Sequence, residues 1–251
     1  MLTDYRPLLA CLLAAHFLAD FVLQSDRTAE TKSKILVLLR HAFIVSVVSY
    51  LFCGAWAAWI IPLALFLGHG VLDFCKSRIR TRPLAVFLID QTAHIGFLIT
   101  LSIWVVRSYD PALYWTNLFG ESWTRVMIIG AGATAAIYAG GVLIGIAVSP
   151  VLKEIAGENA APMPGAASLL RGLDKGGKLI GQLERAIIFL LVLAGHPEGV
   201  GFLIAAKSIL RFGEIKDAKQ RQEAEYIIIG TFMSFGYGLL IAFLTRYFLN
   251  F

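Results

Sequence analysis

Long apolar runs constrain this chain more than any other feature. Eight segments can be drawn, at about 7–24, 35–53, 55–75, 84–106, 126–149, 179–195, 198–211 and 226–248. Most approach the roughly 20 residues that a helix needs to cross the hydrocarbon core of a bilayer. The sequence therefore predicts an all-α integral membrane protein with about eight transmembrane segments, of which the seventh is short or re-entrant.

The composition agrees with this prediction. The 251 residues are 58% hydrophobic and 16% charged, with a mean hydropathy of +0.73, whereas soluble domains are nearer half apolar and a quarter charged. We expect a single polytopic membrane domain over 1–251, with His/Asp-bearing helices in 1–110, Gly-rich and Glu/Lys/Arg-bearing helices in 126–251, and a cytoplasmic loop at 150–178. The three cysteines form no CxxC motif, which argues against a disulfide framework and a thiolate zinc site.

The basic residues predict the orientation. If the N-terminus is outside, sixteen of the 22 Lys and Arg residues lie at inner loops and only four at outer ones. Such a bias is typical of bacterial inner-membrane proteins. We therefore expect a multi-pass protein of the inner (plasma) membrane, with both termini outside and membrane lipid as a partner. No basic stripe interleaved with aromatic residues indicates binding to nucleic acid.

Histidine and aspartate recur four residues apart within three apolar segments. The pairs are His16/Asp20, His69/Asp73 and Asp90/His94, and His41 lies in a fourth segment. A spacing of four places both side chains of a pair on one helix face. With the predicted orientation, all seven residues fall in the cytoplasmic half of the bilayer, where ionisable groups are rare and usually functional.

Imidazole and carboxylate together suit a transition-metal ion, and zinc first among them. The metal-ligand candidates are His16, Asp20, His69, Asp73, Asp90 and His94. The two His-x-x-x-Asp pairs offer enough donors for one tetrahedral site, and Asp90, His94 and His41 are candidates either for a second metal or for groups that fix the tautomers of the imidazole ligands. Two alternatives stay open: proton or substrate binding without a metal, and a purely structural network of hydrogen bonds and ion pairs.

Charged residues also occur in the later segments, namely Glu184, Arg185, Lys207 and Arg211. One interpretation is catalytic: Lys207, Arg211 and Arg185 hold an anion, and Glu184 or His41 acts as the general base. The alternative is ordinary pairing, with Glu184 neutralising Lys207 or Arg211.

Several motifs carry a resemblance to a known family. "HFLADFVLQSD", "GHGVLDFCK", "FLIDQTAH", "GQLERAII" and "GFLIAAKSILRF" together resemble an uncharacterised bacterial integral-membrane family, domain of unknown function 3307. The resemblance implies membrane location and no specific chemistry. The repeated His-x-x-x-Asp motif is also similar to the intramembrane zinc site of cation-diffusion-facilitator transporters. The Asp-x-x-x-His pair and the eight-segment layout depart from that second family.

Two functions remain open from the sequence. The first is a metal-dependent hydrolase or phosphotransferase that acts on a lipid, lipid-linked or other anionic substrate. The alternative is a divalent-metal or proton-coupled transporter that uses the same His/Asp pairs. The absence of acidic residues and histidines from most of the outer half favours the enzyme.

The orientation can be tested by cysteine labelling in intact cells. In a variant without native cysteines, we expect Thr81→Cys to resist a membrane-impermeant maleimide and Ser122→Cys to react with it, because only the second position is predicted outside. Reaction of Thr81→Cys from the outer face would contradict the orientation.

Overall fold

A computed structural model describes residues 4–24, 34–79, 84–156, 176–209 and 218–250. Within these ranges the chain is helical and contains no strand. The helices are α1 (Arg6–Leu18), α2 (Ile35–Cys53), α3 (Ile60–Ser77), α4 (Leu84–Tyr109), α5 (Tyr114–Phe119), α6 (Glu121–Thr134), α7 (Gly140–Ala156), α8 (Gly176–Leu193), α9 (Gly199–Ile209) and α10 (Ala218–Leu249). Two π-helical turns, Ala19–Leu23 and Ala135–Ala139, follow α1 and α6. The all-α prediction is confirmed.

Six helical stretches are long and apolar enough to cross a membrane. They are Arg6–Leu23, Ile35–Cys53, Ile60–Ser77, Leu84–Tyr109, Glu121–Pro150 and Tyr226–Leu249. Helix α8 is not among these six, and α9 has only 11 residues. At about 1.5 Å per residue α9 is much shorter than the hydrocarbon core of a bilayer. Six candidate spans therefore stand, and the count of eight stays a prediction.

Helix packing divides the chain into two compact units, Met1–Thr134 and Ala135–Phe251. In the first unit α1 packs against α2, α4 and α6, and α3 packs against α2 and α4. The buried residues of α1 are mostly small, including Ala10, Cys11, Ala14 and Ala15. Small side chains let neighbouring helices approach closely where no hydrophobic effect drives helices together.

All five tryptophans lie toward one end of the first unit. They are Trp56, Trp59, Trp104, Trp115 and Trp123. Two of them hold the end of α2: the indole N–H of Trp115 donates to the carbonyl of Leu51 at 2.7 Å, and that of Trp123 donates to Phe52 at 3.1 Å. Rings with an apolar body and one N–H suit the boundary between membrane and water.

A buried arginine organises the second unit. The guanidinium of Arg185, on α8, donates to the carbonyl oxygens of Ala136 and Ile137 at 2.8 Å each and to the hydroxyl of Ser234 at 2.9 Å. Both carbonyls belong to the π-helical turn, where the regular α-helical hydrogen-bond pattern is interrupted. Arg185 therefore supplies donors to backbone groups that are costly to leave unpaired away from water.

Removal of this arginine should destabilise the fold. We expect Arg185→Leu to lower the free energy of unfolding by several kcal/mol, because it removes three hydrogen bonds from a charged donor, each worth about 1.5–3 kcal/mol. Thermal unfolding in detergent measures the change, with Arg107→Leu, at an exposed position, as the matched control. Equal melting temperatures for both variants would contradict the conclusion that Arg185 stabilises the second unit.

Candidate metal centre

Four helices of the first unit, with the π-helical turn that follows α1, bring seven His and Asp residues to one place. Asp20 lies on the π-helical turn that follows His16 of α1, and His41 lies in the second turn of α2. His69 and Asp73 lie near the end of α3, and Asp90 and His94 near the start of α4. Because α2 and α4 begin where α1 and α3 end, all seven residues lie at the same end of the unit. That end is opposite the tryptophans, since His41 and Cys53 are about 18 Å apart along α2.

Four donor atoms form the tightest group in the cluster. The two Nε2 atoms of His41 and His69 are 3.2 Å apart. Asp20 Oδ1 lies 3.1 Å from the first and 3.5 Å from the second. Asp73 Oδ2 lies 3.6 Å from His41 Nε2 and 3.5 Å from His69 Nε2. The separation of the two nitrogens and the four nitrogen–oxygen separations are therefore nearly equal.

These separations fit the edges of a tetrahedron around a small metal ion. Zinc binds imidazole nitrogen and carboxylate oxygen at about 2.0–2.2 Å, which places neighbouring ligand atoms of a tetrahedral site about 3.3–3.6 Å apart. The five distances among His41, His69, Asp20 and Asp73 span 3.1–3.6 Å. The donor types and their spacing both suit a divalent transition metal.

Two further imidazoles border this group. The rings of His16 and His94 are stacked with their centroids 5.1 Å apart, and the ring of His94 lies 4.5 Å from that of His69. Both side chains are 1% exposed. Within the part of the chain that the structure describes, three ring nitrogens have no hydrogen-bond partner: Nδ1 and Nε2 of His16 and Nε2 of His94. Buried polar atoms in proteins are normally partnered, so these nitrogens indicate a site prepared for a proton or a cation.

Asp90 is held by two donors at the edge of the cluster. Its Oδ2 accepts from Lys76 Nζ at 2.6 Å and from Gln91 Nε2 at 2.9 Å. The backbone carbonyl of Asp90 accepts from Nδ1 of His94 at 2.9 Å. A carbonyl accepts only from an N–H, so this bond places the proton of neutral His94 on Nδ1 and leaves the lone pair on Nε2.

Glu184 and Lys207 of the second unit form an ion pair. Lys207 Nζ lies 2.7 Å from Glu184 Oε1 and 2.8 Å from Oε2, so the pairing that the sequence left open is present. Arg185 is occupied by backbone carbonyls, as described above. Arg211 lies outside the described residues. The roles of Glu184 as a base and of Lys207, Arg211 and Arg185 as an anion clamp stay predictions.

The structure adds features that sequence patterns did not reveal. His41 was expected as a general base, as a ligand of a second metal or as a group that fixes an imidazole tautomer, but its Nε2 stands among the four central donor atoms. Only packing of α2 against α3 reveals that position. Lys76 could have been found, since it follows Asp73 by three residues and thus shares its helix face.

The comparisons with known proteins add a family and no function. No curated protein matches the chain, and no solved structure matches it. A family model matches residues 8–119, and the motifs "GQLERAII" and "GFLIAAKSILRF" lie after that range. The resemblance inferred from the motifs is confirmed for the first unit: residues 8–119, which contain the complete His/Asp cluster, match the family described as a protein of unknown function (DUF3307).

Proposed function

We propose that the chain is a multi-pass protein of the bacterial inner membrane. The first support is the set of six long apolar helices. The second is the distribution of side chains: large apolar residues such as Leu36, Phe202 and Phe232 are more than 60% exposed, whereas His69 and Asp73 are buried. Soluble monomers rarely expose contiguous apolar surfaces of this kind. The orientation with both termini outside rests on the basic residues alone.

The central proposal is that the first unit binds a divalent transition-metal ion, zinc first among the candidates. The observation that carries it is the group of two Nε2 atoms 3.2 Å apart, each with a carboxylate oxygen of Asp20 and of Asp73 at 3.1–3.6 Å. His41, His69, Asp20 and Asp73 are the proposed ligands. His41 is assigned as a ligand instead of a base because its Nε2 faces that of His69.

The function that this site supports best is metal-dependent hydrolysis or phosphotransfer on a lipid, lipid-linked or other anionic substrate. His41, His69, Asp20 and Asp73 would hold an ion that could supply Lewis-acid chemistry to a phosphoryl or acyl oxygen and to a bound water. His16 supplies a buried imidazole whose nitrogens have no hydrogen-bond partner among the described residues, and it would serve there as the proton acceptor. Lys76, half-exposed at the edge of the cluster, supplies a positive charge for an anionic group.

Transport of a divalent metal is the second candidate, and one observation favours it. His41, His69, Asp20 and Asp73 together would offer four protein ligands, whereas catalytic zinc sites usually keep one position for water or substrate. A fully protein-bound ion suits a transport site that releases its cargo when helices move. The same His/Asp pairs serve both candidates.

Metal binding is tested by titration of the purified, chelator-treated protein with zinc. We expect the wild type to bind at least one ion per chain. His41→Ala and Asp73→Asn should weaken binding by more than the roughly 10–100-fold that loss of an outer partner costs, because each removes a ligand itself.

His196→Ala is the matched control, since His196 is 70% exposed and pairs with Glu198 outside the cluster. It should bind zinc like the wild type. A wild-type protein that binds no divalent metal would reject the metal and favour a proton-binding network. Equal affinity in all three variants would place the metal away from His41 and Asp73.

Reconstituted vesicles separate the enzyme from the transporter. We expect zinc-loaded wild type to release inorganic phosphate from phosphatidic acid in the vesicle membrane, and Asp73→Asn to release none, because the polarising ion is lost. Entry of external zinc can be measured with a zinc-sensitive dye trapped in the vesicles. Zinc entry without phosphate release would contradict the proposed enzyme and support the transporter.

A further inference from the structure

Beside the four central donors the cluster contains a second set of unused ones. We infer that the first unit holds a second divalent cation, bound by His94 and sharing the carboxylate of Asp73 with the first. This inference rests on the proposed metal site and extends it from one ion to two.

His94 is the residue that carries the inference. Its Nδ1 donates to the carbonyl of Asp90 one turn earlier, at 2.9 Å. Metal-binding histidines typically donate their other ring N–H to a carbonyl or carboxylate, which fixes the ring and directs the lone pair of the second nitrogen at the ion. Nε2 of His94 is buried and has no hydrogen-bond partner among the described residues. It is therefore a prepared ligand that the four-donor group does not use.

The carboxylates supply the second requirement. Asp73, Asp90 and His94 each offer a donor atom within 4.8 Å of the other two, and Asp73 forms a similar group with His41 and His69. Asp73 thus belongs to two neighbouring groups of possible ligands. A carboxylate with two oxygens can bind one ion through each of them, which holds two ions about 3.5–4 Å apart, as in many phosphoryl-transfer enzymes.

The charges agree with two ions. The cluster contains three carboxylates, of which Asp90 is paired with Lys76 at 2.6 Å. Asp20 and Asp73 belong to the four-donor group of the first ion. A second ion would add two positive charges beside them, which suits a substrate that brings an anionic group of its own. The two-ion arrangement therefore favours the enzyme over the transporter.

His16 completes the surroundings of the second position. Its ring is stacked on that of His94, and it offers one donor atom within 4.8 Å of Asp20 and His69. It is placed to accept a proton beside either ion. The inference does not require it as a ligand.

Metal stoichiometry tests the second ion directly. We expect the full chain in detergent to bind two Mn²⁺ or Zn²⁺ ions per chain, and His94→Ala to bind one with the wild-type affinity of the tighter site. Asp73→Asn should weaken both sites, because it removes the shared carboxylate, and His196→Ala should leave both unchanged. The Mn²⁺ form of the wild type should show the exchange-coupled spectrum of two nearby ions in electron paramagnetic resonance, and His94→Ala the spectrum of an isolated ion.

The outcomes separate this inference from the site on which it rests. One ion in both wild type and His94→Ala would overturn the second position and leave the first. Loss of all metal in His94→Ala, in a variant that elutes as a folded protein, would place His94 at the first ion and also overturn it. No bound metal in the wild type would reject the proposed function itself. If His94→Ala does not fold, the wild-type stoichiometry and spectrum decide alone.

Discussion

The approach of two imidazole nitrogens to 3.2 Å inside an apolar helix bundle is the constraint on which the site depends. Two lone pairs that face each other repel, and so do two N–H groups, so either one ring donates its N–H to the other ring or both lone pairs face a cation, as proposed here. The carboxylates of Asp20 and Asp73 bring two negative charges to the same point. Buried charge is costly unless it is compensated. A divalent ion compensates both carboxylates at once, whereas protons would have to neutralise each group separately.

The rest of the first unit is arranged around this point. Residues with polar atoms face inward at one end of the helices, tryptophans lie at the other, and large apolar side chains cover the outside. Small residues of α1 let the surrounding helices approach closely. In the second unit a buried charged side chain also pairs with polar groups, since Arg185 donates hydrogen bonds to carbonyls of a π-helical turn. Both π-helical turns therefore occur next to charged side chains, Asp20 in the first unit and Arg185 in the second, which agrees with the tendency of such turns to mark functional positions.

Much of this arrangement could be predicted from the sequence, because it depends on periodicity. A spacing of four places His69 and Asp73 on one face in any regular helix, and apolar runs of about twenty residues fix the first four helices closely. The role of His41 could not be predicted, since it depends on how α2 packs against α3. Arg185 donates to backbone carbonyls of the π-helical turn Ala135–Ala139. These contacts could not be predicted, because no residue pattern in the sequence indicated a π-helical turn there. Helix α9 is apolar but has only 11 residues, so hydropathy identifies the segment and does not decide whether it crosses a membrane.

X-ray absorption at the zinc edge tests the central claim most directly. The four donors His41, His69, Asp20 and Asp73 predict four nitrogen and oxygen neighbours at about 2.0–2.2 Å, the outer-shell signature of imidazole, and no sulfur. Buried Cys11 and Cys53 are the competing ligands in the same unit. A sulfur neighbour at about 2.3 Å, or six oxygen neighbours without imidazole, would contradict the account.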